Sequence, residues 1–118
     1  MTHEEFSMRF QGLFYDGADQ IAAGVPAASV QYQVREDAKR LVERQLNELD
    51  ARRSALGNWT DMDTEGKTEY LDIQNQWRAV KSLSGAMTYM LKWFSYGARC
   101  RGMLDSAFSA DSSLQGRM

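Results

Sequence analysis

Between residues 70 and 98, apolar or small side chains recur at alternating spacings of three and four: Tyr70, Ile73, Trp77, Val80, Ser84, Met87, Leu91, Phe94 and Ala98. That rhythm marks one face of an α-helix held over four heptads. From Leu83 a second stripe joins it, through Met90, Trp93, Gly97, Cys100 and Leu104. A helix that is apolar on two sides has to be covered on two sides, by its own chain or by a partner. The pattern predicts a third helix from about residue 63 to 108. Ser84-Gly85 and Gly97 are the places where it can bend.

Two amphipathic helices precede it. Thr2 and Glu5 form a capping box, and His3, Glu4 and Glu5 set negative charge near the positive end of the first helix dipole. Phe6, Phe10, Leu13, Gly17 and Ile21 line that helix's inner face, with Met8, Phe14 and Tyr15 beside them. Gly17 weakens a helix interior by about 1 kcal/mol relative to Ala, which predicts a close-packing role. Gly24-Val25-Pro26 ends the helix, and Pro26 suits the first turn of the next. The second helix runs to about Leu56 on an inner face of Val30, Val34, Ala38, Leu41, Val42, Leu46, Leu49, Arg53 and Leu56. Its outer face is Gln, Glu, Lys and Arg, with Glu36–Arg40 and Glu48–Arg52 at favourable i,i+4 spacing. A strand over 30–34 is a minor alternative, since no partner strand is nearby. The fold class expected is all-α: an antiparallel bundle of three helices, or four if the third is broken. A single domain over 1–108 is expected, followed by a small, polar, flexible tail over 109–118.

Composition sharpens this reading. The chain has 118 residues, one Pro, one Cys, seven Met and thirteen aromatics. One cysteine excludes an internal disulfide framework and fits a reducing compartment. The first ten residues show no basic-then-apolar leader pattern, and the most apolar run, 86–98, is too short to cross a bilayer and contains Lys92. A cytoplasmic location is expected. Charge is unevenly spread: residues 1–72 carry a balance of −6 and residues 73–118 a balance of +4. No acid occurs between 73 and 104, while Arg78, Lys81, Lys92, Arg99 and Arg101 all do. Either the acidic helices fold against the basic one, or the basic stretch faces an acidic partner.

Catalytic patterns are sparse. His3 is the only histidine, so no Ser-His-Asp arrangement and no histidine-rich zinc site is available. No glycine-rich phosphate loop occurs. Cys100 lies between Arg99 and Arg101, which would favour its thiolate, but a lone cysteine on an apolar helical face is more often packed. The stretch 61–72 resembles an EF-hand calcium loop. Asp61, Asp63, Glu65, Glu69 and Asp72 occupy its first, third, fifth, ninth and twelfth positions, and Gly66 its sixth. It departs from that pattern with Glu65 at the fifth position, Thr68 at the eighth and Asp72 at the twelfth, and it has no companion loop. The same acids also read as the capped start of a helix. No metal or other cofactor is assigned, and the five acids remain weak candidates.

The strongest functional expectation is a non-enzymatic protein that binds a protein partner or itself through an aromatic, Met-rich and basic face of the third helix. Trp77, Met90, Trp93, Phe94, Tyr96, Arg99 and Arg101 are the candidate contact residues, because Trp, Tyr and Arg dominate the energetic centres of interfaces and Met adapts. Small helical chains of this kind include, by analogy, phage-type inhibitors, secretion chaperones, adaptors and assembly factors. A calcium-binding helical protein is the alternative. A binder of nucleic acid or a membrane surface through the basic aromatic helix is the next, disfavoured by a pI of about 5.4.

Overall fold

Thr2 starts the first helix as the sequence requires. Its hydroxyl accepts the Glu5 N–H at 3.1 Å, and the Glu5 carboxylate accepts the Thr2 N–H at 3.4 Å. The computed structural model describes residues 1–110, so 111–118, most of the expected tail, lie outside the described residues. Helix α1 spans His3–Ala22, α2 Ala27–Ala55, α3 Thr64–Lys92 and α4 Cys100–Ala110. Short 3-10 segments, Trp59–Asp61 and Trp93–Arg99, precede α3 and α4. The described residues contain no strand, and residues 30–34 are helical, with Val30 and Val34 both buried. No described helix is long and apolar enough to cross a membrane.

The chain folds back on itself at each connection. Met1 lies against Gln45 and Glu48 of α2, so α1 and α2 run in opposite directions. Arg52 of α2 reaches Glu69 of α3 at 3.5 Å across the next turn. Helix α2 packs along both α1 and α3, while α1 also meets the 3-10 segment and α4. The result is a rod of 56 × 24 × 19 Å.

Aromatic stacking organises one end of that rod. Phe6, Phe10 and Phe14 form a staircase along α1, with ring centroids 5.9 and 5.1 Å apart. Phe14 then stacks on Phe94 at 6.0 Å and meets Phe108 edge-on at 6.3 Å. Phe14 therefore belongs to the interior, while Met8, expected beside it, is 73% exposed. Gly17 is buried because Phe94 needs its space: a Cβ there would lie 2.7 Å from Phe94 Cζ. This is the close packing expected of that glycine.

Three features differ from the sequence expectation. The third helix is not continuous to 108: it ends at Lys92, and of the two expected bend points the break falls at Gly97, while Ser84-Gly85 stays helical. Gly97 adopts φ 64°, ψ −134°, a backbone conformation that a side chain would oppose. Ser109 and Ala110, placed in the tail by sequence, close the last turn of α4. The expected i,i+4 pairs on α2 are also replaced: Arg40 turns to Asp37 at 2.6 Å, and Arg44 pairs with Glu48 at 3.4 Å. These are surface contacts of little energetic weight, so exchanging one for another costs almost nothing.

Candidate partner-docking groove

The break at Gly97 decides what the C-terminal stripes become. Before it, the 3-10 segment carries Trp93 and drives Phe94 inward. After it, α4 swings back across α1, burying Cys100, Leu104 and Phe108. Between Trp93 and α4 a groove of about 740 Å³ remains, lined by Trp93, Ala98, Arg99, Gly102, Met103, Ser106 and Ala107. Its small lining residues are Ala98 of the 3-10 segment and Gly102 and Ser106, which lie one turn apart on α4. A Cβ at Gly102 would meet no atom within 4 Å, so nothing inside the molecule requires glycine there.

Polar contacts to α1 hold the groove's α4 wall. The Tyr15 hydroxyl donates to Asp105 Oδ1 at 2.5 Å, and Arg101 pairs with Asp19 at 2.8 Å while lying 5.1 Å over the Tyr15 ring. Burial, followed by the Asp105 hydrogen bond and charge, pushes the Tyr15 phenol up to about 12.

The candidate contact residues fall into three groups. Trp93 and Arg99 line the groove, and Tyr96, 57% exposed, sits between them in sequence. Met90 and Phe94 are interior, 4% and 1% exposed, so no partner reaches them without opening the fold. Their stripe is covered by the chain's own helices, chiefly through the aromatic stack on α1. Arg101 holds α4 to α1, and Trp77 is half-buried beneath Lys81, 5.5 Å from its ring centre. Sequence reasoning had Ala98 in the apolar stripe but missed Gly102, Ser106 and Ala107 as groove residues. Their signal was the four-residue spacing of small side chains after Gly97.

The charge asymmetry is only partly absorbed inside the chain. Arg101 reaches acidic α1, but Arg78, Lys81, Lys92 and Arg99 form no ion pair among the described residues. Lys92 lies instead over the ring of Tyr89, itself 67% exposed. Cys100 is buried, and that burial raises its thiol pKa despite the adjacent Arg101, which favours the packed reading over the reactive one.

The calcium-like stretch does not fold as a loop. Asp61 ends the 3-10 segment, and Asp63 caps α3 by accepting the Gly66 N–H at 2.8 Å. From Thr64 onward the residues are helical, so Glu65, Glu69 and Asp72 share one helix face, where with Thr68 they line an open surface pocket and do not wrap an ion. Glu69 engages Arg52, and Asp72 accepts from Gln76 at 2.8 Å. A calcium loop needs its first nine or so positions to wrap the ion; here the helix begins at the fourth. Among the described residues, no three His, Cys, Asp or Glu side chains are placed to share a metal.

No protein-family model matches this chain, no curated protein matches it, and no solved structure matches it.

Proposed function

We propose that this chain is a cytoplasmic, non-enzymatic binding protein, an antiparallel helical bundle that docks a helix of a protein partner in the groove between Trp93 and α4. The observation that carries the reading is the groove itself. Trp93 and Met103 line this shallow groove together with the small residues Ala98, Gly102 and Ser106, which would let a second helix approach closely. Trp and Met supply apolar contact area, and Tyr96 and Arg99 border it with groups common at the centres of interfaces. Arg99 on the groove and Lys92, next to Trp93 in sequence, favour a partner helix with acid residues beside its apolar stripe. The role fits an inhibitor, adaptor, chaperone or assembly factor.

The test is a photo-reactive residue in place of Met103, activated in the native host, with the cross-linked peptide sequenced. A peptide that is amphipathic and acidic supports the reading, provided the cross-link is lost in Gly102→Leu and weakened in Arg99→Glu. Cross-links confined to the chain's own residues, or to nucleic acid or lipid, refute it. So does a cross-link that survives both substitutions.

A further inference from the structure

A second groove, of about 480 Å³, lies on the opposite pair of helices, between α1 and α2. Arg9, Gly12, Leu13 and Asp16 of α1 and Asp37, Arg40, Leu41 and Arg44 of α2 line it, with Asp37 and Arg40 already paired at 2.6 Å. Arg40 and Arg44 have partners on α2, whereas neither Arg9 nor Asp16 makes an ion pair among the described residues. Gly12 sits in the interior of α1, where glycine costs stability, and a Cβ there would touch nothing within 4 Å. Nothing within the chain explains that glycine. One turn away, Met8 is 73% exposed.

From this arrangement we infer that the α1–α2 face is a homodimer interface, in which α1 crosses α1 of a second copy antiparallel about a two-fold axis at the Gly12–Leu13 peptide. The argument is charge complementarity. Arg9 and Asp16 are seven residues apart, two helical turns, so they share one flank of α1. They are also equidistant from the Gly12–Leu13 bond. In an antiparallel pair like flanks meet, so Arg9 of each copy faces Asp16 of the other, twice over. A parallel arrangement would set the arginine ends together and be repelled. Gly12 at the crossing point lets the two backbones approach, and Met8 is covered by the second copy. At the edges of the contact Glu5 approaches the second copy's Asp19, whose charge Arg101 offsets at 2.8 Å. A strip as long as α1 and two helices wide has a footprint of about 600 Å², near the ~800 Å² per partner of a stable dimer.

Sedimentation velocity across a concentration series tests this, with Arg9→Asp, Asp16→Arg, the double exchange Arg9→Asp/Asp16→Arg, and Gly12→Leu. The wild type is expected to show dimer mass. Each single reversal weakens association at least about tenfold. The double exchange restores it, which a folding defect would not, and Gly12→Leu abolishes it with helicity unchanged. A wild type that stays monomeric up to about 1 mM, the weakest association of interest, overturns the inference. So does a dimer indifferent to the single reversals, which would use another face, or a double exchange that fails to restore association.

Discussion

Gly97→Ala tests the one backbone feature on which the docking groove depends. At φ 64°, ψ −134° the position lies outside the regions open to residues with a side chain, and a Cβ there would meet no atom within 4 Å. The cost is therefore purely conformational, about 1–3 kcal/mol for a residue forced into a sparsely populated region. In a chain of this size that corresponds to a fall in Tm of roughly 4–15 °C. Gly102→Ala is the matched comparison. It also meets open space, but it lies within α4, so removing glycine's excess freedom should stabilise by about 0.5–1 kcal/mol. Urea unfolding followed by circular dichroism measures both, and amide exchange over 100–110 shows whether the loss is confined to α4. The two substitutions add the same methyl group and must move stability in opposite directions. If Gly97→Ala is neutral, or if both variants shift the same way, the turn into α4 does not require glycine's backbone freedom at Gly97.

Gly17→Ala should destabilise despite its better helix propensity, because the new Cβ falls 2.7 Å from Phe94 Cζ and 3.1 Å from Val30 Cγ1. A net loss of about 1–2 kcal/mol is expected in thermal melts. The neutral Tyr15 phenol is favoured in the folded state, since its pKa is raised from 10.0 to about 12. Its contribution is therefore complete below pH 10 and lost as pH rises towards 12, and a Tyr15→Phe variant should show a flatter stability profile across that window in alkaline melts. Gln45 is 0% exposed, and its Oε1 has no hydrogen-bond partner. Gln45→Leu, which surrenders only a 3.3 Å bond to the Met1 carbonyl, should be neutral to stabilising by about 1 kcal/mol in urea titrations.

Much of the fold was legible because it rests on local signals. Thr2 with Glu5, Gly24 before Val25-Pro26, and Asp63 before a helical rhythm each marked a helix boundary through backbone groups that need a partner or a permissive residue. The all-helical class followed from the long three-and-four spacing. Periodicity was blind to a break that preserves phase. Phe94, Gly97 and Cys100 keep helical spacing through the 3-10 segment, so the stripe reads as one rod while the backbone turns at Gly97. Gln45 was missed for the opposite reason: a polar residue at a buried position leaves no mark in an apolar pattern.

The candidate site was legible as composition and illegible as geometry. Trp93, Phe94, Tyr96, Met90 and Arg99 cluster in sequence, and any of them suits an interface. Which ones face outward depends on how many stripes the chain can cover with its own helices. The phenylalanine staircase on α1 ends at Phe14, and Phe94 completes it, so the demand for Phe94 is internal and set by residues eighty positions away. Once Phe94 turns in, its neighbour Trp93 is directed towards α4, where the small residues Ala98, Gly102 and Ser106 leave room beside it instead of covering it. Glycine in the interior of a helix is the clearest trace of this. Gly17 is explained by a ring inside the molecule, whereas Gly12, Gly85 and Gly102 meet nothing, and of these Gly12 and Gly102 also line a groove. Open space beside a helical glycine does not by itself mark a contact surface, as Gly85 shows; its coincidence with a groove at Gly12 and Gly102 is what supports one. That reasoning is why both grooves, and not the most aromatic stretch of sequence, carry the interaction surfaces proposed for this chain.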